Sequence, residues 1–556
     1  MARRKKTVGR KKTAGKRNST GPMLARAQAL AARDLPGAVL TWGRVLDRDP
    51  GNARALAALR GLDVAQRRAL IGDCRALVRN GATAHALALS GILARACPAD
   101  PALAAFEARA LCVADRPRDA LDRLAPLLAR HPDHPGLCCS HGIALAFAGD
   151  HAGAAAVLGG LQDSGALDAE AINVLGSSLA FLGRMEEAQE VLLRAARRGA
   201  LAVAGLYNLS RHADLTREPE VIAQLQAALA DPALPRSDHE MAAYALARLA
   251  EQLGETDAAF RCLALANALK PDAEIARYMA MIRATATRAP ALAAAMTAPA
   301  CAPAEPCPVF IVGMPRSGTT LAEQILLRHS RVASIGESPR LAEVYTQLRD
   351  SGARIDADSF REAYLQAIPP DCRGASVVLD KMPPNAFLCG LALKAIPGAR
   401  VIHCRRHPMA TGFSAFRLRF AEGYGYAHRF ATIAEFYRLT EGAMADWRRS
   451  FPDRIMALPY EPLTEAPARW IAAMLEFCGL EREDGLTEFR GSSATVRTAS
   501  LGQVRRGIYR GSSEGWKPYA DHLAPLMAEL IGEIAEYEVE IEQMIASQRH
   551  PVSGAA

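Results

Sequence analysis

"VFIVGMPRSGTTLAEQILLRH", residues 309–329, decides how the rest of this chain is read. Val309 to Val312 have the form of a short buried strand, Gly313 to Thr320 that of a turn of small residues, and Leu321 to Arg328 continue as helical text. Small residues let backbone N–H groups converge on one cavity, and a helix N-terminus adds partial positive charge, so such a turn seats an anion. The spacing G-x-x-x-x-G-T-T would be a nucleoside-triphosphate loop if Thr319 were lysine. That lysine normally reaches the β and γ phosphates, and its replacement argues against triphosphate hydrolysis. No acid is convincingly set after a strand for Mg²⁺, although Asp380 in "VVLDK" can be read so. The cation sits inside the loop instead, as Arg316, whose planar fork of donors suits a phosphosulfate or a similar oxyanion.

Downstream, short apolar runs such as "ASVVLD" and "ARVIHCR" alternate with helical text. That alternation predicts a parallel α/β sheet with helices on both faces and a ligand site at the carboxyl ends of its strands. Upstream, residues 288–308 are rich in Ala and Pro with little charge and read as a linker.

Before the linker the text is Ala- and Leu-rich and repeats. Ala86, Ala120, Ala154 and Ala188 lie 34 residues apart, each followed four residues later by Ser90, Leu124, Leu158 or Leu192. Gly142 and Gly176, Gly149 and Gly183, and Pro98 and Pro132 keep the same step, and the phase returns around Trp42 and around Leu263. A period of 34 with small residues where helices touch resembles the tetratricopeptide repeat, which predicts an all-α superhelix with a concave face for peptides or proteins.

At 556 residues more than one domain is expected. The net charge of +8 belongs almost wholly to residues 1–17, which hold nine Lys or Arg and no acid; the remainder carries 58 basic against 59 acidic residues. The tail reads as a solvated extension able to touch polyanions, and Met23 is an alternative start. With no apolar run of bilayer length and twelve scattered cysteines lacking a CxxC pair, a reducing, cytoplasmic setting without a structural metal is expected.

Taken together, "GMPRSGTTL", "SIGESPRL", "VVLDKMPPN", "ARVIHCRRHPMATGFSAF" and "VRTASLGQVRRGIYRGSSEGWKPYADHL" resemble the sulfotransferases that use 3′-phosphoadenosine 5′-phosphosulfate (PAPS), most closely the tyrosylprotein sulfotransferase branch and its bacterial relatives with tetratricopeptide repeats. The resemblance spans roughly residues 305–545. It implies that Arg316, Ser317, Gly318, Thr319 and Thr320 bind the 5′-phosphosulfate and that Arg406 and Ser414, eight residues apart, bind the 3′-phosphate. It further implies Glu337 as general base, Arg340 as the group that orients it, Lys381 and Ser500 around the leaving phosphate, and Arg510 and Lys517 on the 3′-phosphate side with Trp516 packed beneath. His407 stands where family members often have Asp, and His329, His403 and His407 are rival bases.

The expected organisation is a basic tail (1–22), a helical repeat domain (23–295), a linker (296–307) and a sulfotransferase domain (308–546). The expected reaction is sulfuryl transfer from PAPS to a hydroxyl, with a protein or peptide tyrosine held by the repeat domain as the favoured acceptor. Carbohydrate, lipid or small-molecule hydroxyls stay open, as does a repeat scaffold with a catalytically silent nucleotide-binding domain. No metal is implied.

Overall fold

A computed structural model describes residues 20–79, 82–297, 299, 306–350, 356–366, 368–420, 423–483, 486 and 510–549. The chain divides into two compact units, one up to Leu209 and one from Ser210 onward.

The first unit is helical, and its 34-residue step is a property of the backbone. One set of helices, Pro101–Val113, Pro135–Phe147 and Ala169–Phe181, starts 34 residues apart, and so do their partners Thr83–Ala96, Pro117–Leu128, His151–Gly159 and Met185–Arg197. The starts are capped at the same phase: Asp100, His134 and Asp168 each accept a hydrogen bond from a first-turn N–H. The turn inside each pair needs a left-handed residue, and Asp115, Gly149 and Gly183 supply it at φ of 58°, 88° and 82°. Ala86, Ala120, Ala154 and Ala188 are wholly buried, as the repeat phase requires. Gly142 and Gly176 face Leu158 and Leu192 so closely that a Cβ on Gly176 would lie 2.7 Å from Leu192 Cγ.

The second unit is built on a five-stranded, all-parallel sheet ordered β2-β3-β1-β4-β5: β1 Cys307–Gly313, β2 Val332–Ser334, β3 Val377–Asp380, β4 Arg400–Arg405 and β5 Ile455–Pro459. Alternate residues of β1 enter separate cores. Phe310 and Val312 pack with Val378, Val401 and Trp447 on one face, while Val309 and Ile311 pack with Leu379, Ile402 and Met474 on the other. Burial on both faces is what near-continuous apolar strands dictate in a parallel sheet.

Helices that precede the sheet in sequence belong to this same unit. The helix Asp272–Ala295 runs through the Ala/Pro text with Pro290 inside it, because Ala289 and Ala293 pack into the core that contains Phe310 and Trp447. In the helix Thr256–Ala268, buried Asn267 donates to Phe416 O at 2.9 Å, accepts from Tyr244 Oη at 3.1 Å, and lies 2.8 Å from His428 Nδ1. One amide thus ties the helical text to the segment after β4. No helix among the described residues is long and apolar enough to cross a membrane.

Replacing Gly176 by Ala forces a methyl into Leu192 and should lower the unfolding free energy of the first unit by about 1–3 kcal/mol. Gly72→Ala, in a helix with nothing within 4 Å of the new Cβ, should instead be neutral or stabilising by up to about 1 kcal/mol. Urea midpoints of the two variants check the contrast, and equal destabilisation would contradict the packing described.

Candidate active site

Because all five strands run the same way, the residues just past their ends gather at one edge: Met314–Thr320, Gly336–Glu337, Lys381, Arg406 and Tyr460. The turn after β1 is fixed by backbone crowding. A Cβ on Gly313 (φ 141°) would stand 2.3 Å from Cys404 O, and one on Gly318 (φ 102°) 2.6 Å from the Tyr460 ring. Arg316 takes φ 79°, a costly conformation for a residue with a side chain and one that clusters at functional sites. The helix Thr319–Leu326 begins at Gly318 without a side-chain cap, which suits an anion at its first N–H groups. Ser317, Thr319 and Thr320 are buried there, and Ser317 Oγ has no hydrogen-bond partner among the described residues. An orphaned donor inside a ring of crowded glycines and a guanidinium is a seat that fits a phosphosulfate.

The arginine side of the seat is tightly connected. Arg316 Nε donates to Ser414 Oγ at 2.9 Å. Burial first, then the charges of Arg406 and Arg417, push the Arg316 guanidinium down to about 10, still cationic at neutral pH. Arg406 lies over the Tyr460 ring at 4.8 Å and donates to Arg316 O at 3.1 Å, Ser513 Oγ at 3.2 Å and Ser512 O. The turn Arg510–Glu514 is therefore closed onto the phosphate loop through Arg406. Arg406 and Ser414, expected against a 3′-phosphate, both contact Arg316.

The carboxylate side centres on Lys381, which has no exposed surface. Its Nζ lies 2.5 Å from Glu337 Oε1 and 3.7 Å from Glu323 Oε2. Glu323 was not anticipated from sequence; it stands one turn into the phosphate-loop helix, accepts from Ser334 Oγ at 2.6 Å, and has its carboxyl raised chiefly by burial. The signal available was an acid in the otherwise apolar run "TTLAEQILL". Beneath Lys381, Asp380 is buried at the end of β3, accepts from Tyr364 Oη at 2.8 Å and Asn385 Nδ2 at 3.2 Å, and is pushed up to about 7 by desolvation.

Other expected residues lie apart from this cluster or outside it. Arg340 turns to Glu343 at 2.9 Å on the surface, so the cation that holds Glu337 is Lys381. Lys517 is exposed and paired with Glu514 at 2.7 Å, while Trp516 stacks on His407 at 5.6 Å. Arg510 opens its turn, and Ser500 lies outside the described residues. The three histidines are engaged elsewhere. His329 Nε2 is 3.0 Å from Glu481 O, His403 Nε2 is 3.2 Å from Glu441 Oε1, and His407 Nδ1 accepts from Met409 N at 3.2 Å as a helix cap. Arg405 pairs with Glu441 at 2.7 Å and with Glu540. No cluster of His, Cys, Asp and Glu suited to a metal ion occurs among the described residues.

Residues 308–484 match the model of the sulfotransferase family. An uncharacterized protein of Aquifex aeolicus (strain VF5) is 30% identical over 381 residues, 64% of this chain, and the chain spans about half (49%) of that relative's length. Among solved structures, the sulfotransferase domain of the Synechococcus PCC 7002 olefin synthase is 18% identical with a TM-score of 0.30, covering 40% of this chain and 90% of that one. A sulfotransferase from Mycobacterium tuberculosis H37Rv is 15% identical with a TM-score of 0.25, covering 53% and 98%.

Removing the ammonium tests the carboxylate side. Lys381→Met leaves Glu323 buried without its cation and should cost about 3–5 kcal/mol at pH 8. Since the folded carboxyl already holds its proton more tightly than an unfolded one, that deficit should shrink as pH falls through its raised folded value. Adding Glu323→Gln should remove most of the deficit and its pH dependence; denaturant midpoints from pH 5 to 8 provide the check.

Proposed function

We propose that this protein transfers a sulfuryl group from PAPS to an acceptor hydroxyl. The carrying observation is one strand-end edge that joins an anion loop containing a cation, Arg316, to a buried lysine in contact with an acid, Lys381 with Glu337. The family match of residues 308–484 supports sulfuryl transfer in general.

PAPS supplies the sulfuryl group and departs as adenosine 3′,5′-bisphosphate. The backbone of Gly313–Thr320 and the hydroxyls of Ser317, Thr319 and Thr320 would hold its 5′-phosphosulfate, and Arg406 with Ser414 its 3′-phosphate. Glu337 takes the acceptor's proton, with Lys381 positioned to offset negative charge that develops on the departing group. Ser500, Arg510 and Lys517 stay as proposed contributors on the nucleotide side. Orientation and preorganised charge, without a covalent intermediate, account for the acceleration.

For the acceptor, a tyrosine of a protein or peptide is the favoured class. Support comes from the rings beside the acid: Tyr424 stacks on Phe420 at 4.7 Å, and its phenol is raised to about 12 by burial and then by the charge of Glu337. The 34-residue helical repeats would hold the peptide, in the manner of a tetratricopeptide array.

The test pairs binding with turnover. Adenosine 3′,5′-bisphosphate should bind at least about tenfold more tightly than AMP by calorimetry, since a charge-assisted contact contributes about 1.5–3 kcal/mol. Glu337→Ala should abolish transfer of label from PAPS to tyrosine peptides while leaving that affinity intact. Equal affinity for the two nucleotides, or full turnover by Glu337→Ala, would sink the assignment.

A further inference from the structure

Glu461, in the short helix Tyr460–Glu465 after β5, gathers donors from three other parts of the second unit. Its Oε1 accepts from His407 N at 3.1 Å, next in the chain to Arg406, and from Ser513 Oγ at 2.7 Å in the turn Arg510–Glu514. Its Oε2 accepts from the hydroxyl of buried Tyr537, in the helix Ile531–Arg549. The same turn is held a second time, because Ser512 Oγ lies 2.7 Å from Tyr460 Oη, and the Tyr460 ring lies 4.8 Å from the Arg406 guanidinium.

The direction of these bonds gives the acid a role. A carboxylate only accepts, so the Ser513 hydroxyl spends its one proton on Glu461 and meets Arg406 Nε, 3.2 Å away, with a lone pair. The bonds therefore run one way, from Arg406 to Ser513 to Glu461. A direct arginine–carboxylate pair would fill the donor fork. With serine between them, the acid orients the guanidinium from its Nε edge and leaves the terminal nitrogens to other acceptors. Of the five guanidinium donors, one goes to Ser513 Oγ, one to Arg316 O at 3.1 Å and one to Ser512 O. One proton remains on each terminal nitrogen, a pair that a phosphate can take bidentately.

We propose that Glu461 is a positioning residue that, acting through Ser513, sets the Arg406 fork for a 3′-phosphate. The inference rests on the reading above in which Arg406 takes that phosphate. It predicts a residue that governs discrimination between nucleotides without touching either of them.

Calorimetry with adenosine 3′,5′-bisphosphate and AMP tests it on the full chain. Ser513→Ala, a change in a half-buried turn, and Glu461→Ala should each weaken the bisphosphate about fivefold and leave AMP within about twofold. Glu461→Gln keeps an oxygen for Ser513 and His407 and can turn its amide to the Tyr537 hydroxyl, so it should lose no more than about twofold. The double variant Glu461→Ala, Ser513→Ala should lose no more than Glu461→Ala alone, because the two residues act in series. Equal losses for both nucleotides would make the acid a merely structural group and overturn the inference, as would a double variant whose losses add. A wild type that prefers the bisphosphate, with Ser513→Ala unchanged in that preference, would remove this inference alone. A wild type that binds the two nucleotides equally would remove the 3′-phosphate reading and this inference together.

Discussion

A lysine ammonium with no exposed surface, Lys381, is compensated by two carboxylates that come from different parts of the chain. Glu323 arrives on the helix after β1 and Glu337 on the turn after β2, while Lys381 itself follows β3. One charge thus fixes the relative positions of three connections at the carboxyl edge of the sheet. A buried pair of this kind adds little net stability compared with apolar packing, but losing one member leaves a charge stranded, so the arrangement enforces geometry. The same contact places Glu337 beside a cation at the carboxyl edge of the sheet.

On the other side of the loop the charge balance is reversed. Arg316, Arg406 and Arg417 lie close enough that the last two lower the affinity of the first for its proton. Like charges gathered in a partly dry place repel one another, and an oxyanion relieves that repulsion. Arg316 is also held in left-handed backbone, and Gly313 and Gly318 occupy places where no side chain fits. Strain, crowding and a buried guanidinium at one turn have a common physical purpose when the turn binds an anion. The acid and the arginines then give the strand-end edge two electrostatic ends, negative at Glu337 and positive at Arg316.

Local signals carried much of this. Alternating apolar runs and the turn at Gly313–Thr320 were enough to expect a parallel sheet with an anion seat at its strand ends, and the 34-residue step was legible because each repeat writes the same cap, turn and small-residue contact. What escaped was set by contacts between segments distant in sequence. The Lys381 to Glu323 pairing joins the turn after β3 to the helix after β1, and Arg340, next to Glu337 in its motif, turns instead to Glu343 one helical turn away. Nor could composition reveal that the Ala-rich helix Asp272–Ala295 packs on the sheet, since its small buried residues read equally well as repeat or linker.

The most direct measurement is a crystal structure of the protein with adenosine 3′,5′-bisphosphate. The expected density puts the 5′-phosphate on the backbone N–H groups of Gly313–Thr320 beside Arg316, and the 3′-phosphate against Arg406 and Ser414, with Glu337 and Lys381 facing the open side of the 5′-phosphate. A nucleotide bound away from the carboxyl edge of the sheet, or with its 3′-phosphate out of reach of both Arg406 and Ser414, would contradict it.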